Sequence, residues 1–121
     1  MKIIDVHNEL LASSLAAGTY TTSGNGIGID LRGYQGILKV VLDSGAGTGT
    51  LNVKIQDSDN NSSFADIAGK AFAQVTTAAS LQSLKIDTRA VKRYIRAVLT
   101  IGGSTPTFGL AVMAVGQKQI M

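Results

Sequence analysis

The chain has 121 residues, a length that suits one domain built round one core. With 45% hydrophobic and 16% charged residues, fourteen Gly and a single Pro, it is neither collagen-like nor a Pro-rich low-complexity chain. It has no Cys, which excludes disulfides, thiolate nucleophiles and Cys-based zinc or iron–sulfur sites, and a net charge of +3 is too small and dispersed to mark a nucleic-acid-binding domain.

In chain order, the start does not read as a secretory signal, because Ile3-Ile4 is broken at once by Asp5, His7, Asn8 and Glu9. The stretch from Glu9 to Gly18 reads as a short helical turn or an extended arm stopped by Gly18. Its leucines have no partner in the strands that follow, so residues 1–18 are expected to form an N-terminal arm lying partly on a neighbouring subunit, with 19–121 as the folded domain. Ile27, Ile29 and Leu31 alternate with Gly28, Asp30 and Arg32, the period of a half-buried strand. The apolar run from Ile37 to Leu42 reads as an interior strand. The Gly-rich stretch from Ser44 to Gly49 breaks it, and Leu51, Val53 and Ile55 then alternate with polar residues, which predicts a hairpin.

Residues 57–63 are a polar loop, and 64–80 carry no decisive pattern beyond Phe64, Ile67, Phe72 and Val75. Leu81, Leu84 and Ile86 resume the strands, followed by Tyr94 to Ile101, a turn over Gly102 to Thr107, and Phe108 to Val115. The uncharged stretch from Ala97 to Gln117 reaches membrane-spanning length. Its central Gly102-Gly103-Ser104-Thr105-Pro106-Thr107 would leave backbone groups unpaired in lipid, so two strands and no membrane are expected.

Shifting the chain by about 57 residues superposes its halves. Ile29-Asp30-Leu31-Arg32 falls on Ile86-Asp87-Thr88-Arg89, Lys39 on Arg96, Val41-Leu42 on Val98-Leu99 and Gly45 on Gly102. Two such units, each with one apolar face, bury those faces against each other. The predicted fold is all-β: a single jelly-roll-like β-sandwich of about seven or eight strands with a pseudo-twofold.

Chemistry has little to build on. His7 is the only histidine, so imidazole acid–base pairs and His-rich metal sites are not expected. Asp57-x-Asp59-x-Asn61 opens like a calcium loop, but Ser62 and Ala68 stand where an EF-hand needs Gly and Glu. The Gly-x-Gly pairs at 24–28 and 45–49 lack a P-loop lysine or a following helix, and no Gly-x-Ser-x-Gly elbow occurs. No catalytic residue, cofactor or metal site is therefore assigned, and the chain is read as a non-enzyme. Lys85, Arg89, Lys92, Arg93 and Arg96 are its one concentration of charge, suited to internal Asp–Arg pairs or a protein interface better than to nucleic acid.

Three stretches resemble the small β-sandwich capsid decoration or cement proteins of tailed bacteriophages. They are Leu42-Asp43-Ser44-Gly45-Ala46-Gly47-Thr48-Gly49-Thr50-Leu51, Leu51-Asn52-Val53-Lys54-Ile55-Gln56-Asp57-Ser58-Asp59 and Val91-Lys92-Arg93-Tyr94-Ile95-Arg96-Ala97-Val98. The resemblance is one of style, length and strand order over roughly residues 20–117, without a signature motif. It implies a virion protein, made in the host cytoplasm, that docks on the capsid exterior, bridges major capsid protein subunits and forms a dimer or trimer on the lattice. Ile3, Ile4, Leu10, Leu11 and Leu15 of the arm and Lys92, Arg93 and Arg96 of the basic strand are the expected contact residues. A tail or head-completion component, a carbohydrate-binding module and a hydrolase without a visible constellation are the alternatives.

Overall fold

The computed structural model describes residues 9–118, and no α-helix occurs among them. The strands are β1 (Glu9–Tyr20), β2 (Gly24–Asn25), β3 (Ile29–Asp30), β4 (Tyr34–Ser44), β5 (Thr48–Ser58), β6 (Ala65–Ala71), β7 (Ser80–Asp87) and β8 (Tyr94–Lys118), with one 3-10 turn at Leu31–Gly33. They make two layers. The first runs β1–β8–β4–β7; the second has β8 between the short β2 and β3 on one side and β5 then β6 on the other. The all-β sandwich expected from alternation is therefore the observed architecture, nearly closed into a barrel.

Alternation explains the core directly. Leu38, Val40 and Leu42 of β4 face Leu51, Val53 and Ile55 of β5 and Ile95, Ala97 and Leu99 of β8, all of them buried in one cluster with Phe108 and Val112. Each of the Leu, Val, Ile and Phe side chains taken from water contributes about 1.5–3 kcal/mol before the entropy of ordering is subtracted.

Two expected hairpins turn out to be something else. β4 and β5 do not pair with each other: β4 pairs with residues 110–118 of β8 in the first layer, and β5 with residues 94–107 in the second. The chain crosses between layers at Gly45–Gly47, and β8 crosses alongside it, running unbroken through the stretch from Gly102 to Thr107 that was expected to reverse it. Alternation is the same in a hairpin as in two strands that switch sheets, so only the pairing distinguishes them.

The repeat is real in three dimensions. Ile29 pairs with Ile95 and Asp30 with Tyr94; the counterparts 57 positions away pair as Ile86 with Leu38 and Asp87 with Ile37. At each corner the aspartate Oδ1 accepts from the arginine amide two residues on, at 3.0 Å in both cases. Leu31 N–H donates to the Arg93 carbonyl at 2.7 Å, and its counterpart Thr88 N–H donates to the Gly36 carbonyl at 3.0 Å. The strand expected over residues 27–31 departs from this order at Ile27. Pairing slips by one residue between Asn25–Val98 and Ile29–Ile95, which turns Ile27 outward to 69% exposure while Ile29 and Leu31 stay buried.

Side chains close both seams between the layers. On one side, Ser14 Oγ accepts from Ala97 N–H and donates to the Ile27 carbonyl, each at 2.9 Å. On the other, the Gln82 amide accepts from Ala73 N–H at 2.8 Å and donates to the Ala73 carbonyl at 2.9 Å. This ties β7 to the connection whose Phe72 and Val75 pair with β5, which resolves residues 64–80 as an edge strand and an exposed link anchored by the buried Phe72 and Val75.

Candidate protein-interaction surfaces

The basic residues gather at one end of the sandwich. Leu31–Gly33 is the short link from Asp30, paired with Tyr94, to Tyr34, paired with Lys118, so the start of β8 and its finish lie at the same end. Glu9, paired with Gln117, begins β1 at that end as well. Arg32, Arg89, Lys92 and Arg93 surround it, all exposed.

Much of this charge is already engaged within the chain. Arg93 grips Asp30 in a two-pronged contact, Nε to Oδ1 at 3.1 Å and Nη2 to Oδ2 at 2.8 Å, and its guanidinium lies 4.8 Å from the Tyr94 ring centre. That contact, first of all, holds the Asp30 carboxyl down to about 2. Arg96 donates to Gln56 Oε1 at 2.8 and 3.0 Å and covers Phe64 at 4.0 Å. Lys92 Nζ is 3.8 Å from Asp59, and its amide donates to Asp57 at 3.1 Å. The aspartates that open like a calcium loop are thus engaged by Lys92. Asp66 and Asp87 are likewise held by Gln56 and Lys54, and by Arg89, which lowers the pKa of both.

The expected arm contacts divide in the structure. Ile3 and Ile4 lie outside the described residues. Leu10 is a backbone partner of Gly116, and β1 as a whole pairs with β8 of its own chain across the expected boundary at residue 18. Leu15 is buried at 5% exposure and belongs to the chain's own core, because a bulge beside Ser14 turns it inward. Leu11 is 62% exposed and free to meet another molecule.

Sequence reasoning missed the outer face of the first layer. There, side by side, lie the rows Leu11–Val115–Lys39–Lys85 and Ser13–Met113–Val41–Ser83, then Ala111–Asp43–Leu81. Leu81 is 74% exposed. The signal was present in the unbroken apolar runs of β4 and β8, which leave apolar residues on both faces of a strand. Beside Asp43 the small residues Ala17, Gly18, Gly109 and Ala111 line a shallow hollow of about 500 Å³.

No cluster of three or more His, Cys, Asp or Glu side chains occurs among the described residues. All six aromatic residues are buried or half-buried. Tyr34 has a buried hydroxyl without a hydrogen-bond partner, and burial raises its pKa.

No protein-family model matches the chain, and no curated protein matches it. Solved structures do. The PBSX exported protein XepA has a TM-score of 0.63 at 22% identity, over 93% of this chain and 38% of that one. The SPBc2 prophage-derived protein YomS has a TM-score of 0.50 at 10% identity, over 93% and 99%. The VP2 subviral particle of infectious bursal disease virus has a TM-score of 0.51 at 10% identity, over 88% of this chain and 31% of that one. The chain thus spans about two-fifths of XepA, and the likeness to all three is one of fold.

Proposed function

We propose that this protein is a structural component of a virus or phage particle, and in the narrower reading a decoration protein that binds the capsid exterior and bridges major capsid subunits. The observation that carries the reading is the exposed basic rim at the end of the sandwich where β1 begins. Residues 1–8, with Ile3 and Ile4, are attached at Glu9, where Lys92, Arg93, Arg32 and Arg89 stand. An exposed cationic rim suits a protein lattice that offers carboxylates.

Further support comes from what the acids do. Asp30, Asp57, Asp59, Asp66 and Asp87 hold donors of their own fold, as in a structural protein. The sandwich is also shared with the PBSX exported protein XepA, a prophage-derived protein and a viral particle protein. Binding to an assembled lattice, and not to dispersed subunits, shifts the assembly equilibrium toward the shell by mass action. Ordering a terminal segment on a neighbour costs entropy and lowers affinity per unit area, which many repeated sites offset.

The test uses purified particles. Occupancy is read on a gel against the major capsid protein, for the full chain and for a variant lacking residues 1–8. The expected result is a copy number comparable with the major capsid protein, lost in the truncated variant while its circular-dichroism spectrum is unchanged. A low copy number confined to tail fractions would replace the decoration reading by a tail or head-completion role. Absence from particles would reject both.

A further inference from the structure

We propose that the outer face of the first layer is a homodimer interface, in which two copies pack face to face about a twofold axis along the row Ser13–Met113–Val41–Ser83. This goes beyond the particle role and holds whether or not the chain belongs to a particle.

The face is its own complement about that row. A twofold along it places each strand against the same strand of the second copy, so residues two positions to one side meet residues two positions to the other. On β4, Lys39 then meets Asp43 of the other copy, and Asp43 meets Lys39. On β8, Val115 meets Ala111. On β7, the Lys85 stem lies along Leu81 and its ammonium reaches the same Asp43.

Three features of the single chain are otherwise uncompensated. Lys39 and Lys85 are direct cross-strand neighbours, an arrangement of like charges that disfavours pairing unless an anion lies over it. Asp43 makes no ion pair or side-chain hydrogen bond among the described residues, unlike the five aspartates already placed. The hollow at Gly109 and Ala111 lies on one side of the central row, and the exposed Leu11, with the half-buried Val115 beside it, lies on the other. The rotation seats these two side chains over the partner's hollow.

The size is adequate. Four strands at ~4.8 Å by about eight residues at ~3.4 Å give roughly 500 Å² in plan. Side-chain relief brings this toward the ~800 Å² per partner of a stable interface. About this axis the strands of the two copies lie antiparallel and aligned, within the range of directions that aligned sheet-on-sheet packing keeps.

Charge-swapped chains test the proposal by sedimentation equilibrium. The full chain is expected to sediment at twice its 12.5 kDa. Lys39→Asp alone sets a second carboxylate against Asp43 of the other copy, and Asp43→Lys alone sets a second ammonium against Lys39, so each variant is expected to weaken self-association at least tenfold. Mixed one to one, the two variants bring opposite charges together again across the axis and are expected to dimerise. That rescue requires folded chains, so it separates a lost interface from a lost fold. A monomeric wild-type chain, which would leave the face to an unlike protein, overturns the proposal. So does a dimer indifferent to both substitutions, or a loss in both that mixing does not repair.

Discussion

The Ser14 hydroxyl satisfies two backbone groups that belong to different segments, Ala97 N–H and the Ile27 carbonyl, in a site only 5% exposed. Ser14→Ala leaves both without a partner where water has little access, and about 1–3 kcal/mol of stability should be lost, read as a lower urea midpoint at unchanged slope. Gly26 belongs to the same device: a Cβ there would collide with Ser14 Oγ and lie 2.7 Å from its carbonyl oxygen. Asp30 sets a pH limit. Its carboxyl is lowered from 3.8 to about 2, so the Arg93 contact contributes fully above pH 3.8 and is lost as pH falls through about 2. The pair is 38% and 41% exposed, and solvent screening reduces its worth to about 1 kcal/mol or less. Denaturation midpoints measured from pH 7 to pH 2 should fall in that window for the wild type and more shallowly for Asp30→Asn. The two Asp-x-Arg corners were legible in the sequence, since an aspartate two residues before an exposed amide makes an Asx turn by itself. That Arg93, and not Arg32, would close on Asp30 was not legible, because the partner is 63 positions away.

At the scale of elements, the crossing between layers is the most demanding backbone. β5 and β8 turn there together, and Gly49 adopts φ +95 with its α-carbon against Gly103. A side chain at Gly49 would meet the Gly102 carbonyl oxygen and lie 2.9 Å from Pro106 Cβ. Gly49→Ala combines left-handed strain with a backbone collision, and a loss of about 2–3 kcal/mol is expected, measured by thermal unfolding. Gly36→Ala is the control for strain without collision, since φ is +69 and no atom lies within 4 Å of the added carbon; its loss should be smaller. Strand positions were legible because a period of two needs no tertiary information. Pairing was not, because β4 alternates identically whether it joins β5 or β8, and hydrogen bonds to a strand more than 60 residues away leave no local mark.

At the scale of the molecule, β8 ties everything together: it pairs with β1 and β4 in one layer and with β2, β3 and β5 in the other. The N-terminal region illustrates the consequence. Removing residues 1–15 strips Leu15 from the core and Ser14 from the seam. That deletion should therefore lower the thermal midpoint sharply, with the loss of several kcal/mol expected of a large core truncation together with an unmade hydrogen bond. By itself the sequence determined the all-β class, the strands, the inward residues and the twofold repeat, because each follows from side-chain alternation and short-range turn chemistry. Only the tertiary structure decided that the strands switch layers instead of forming hairpins, that β1 completes its own sheet, and that an apolar outer face with opposed Lys39 and Asp43 is assembled. Those outcomes depend on which distant strands share hydrogen bonds, and that choice is made by the folded chain as a whole.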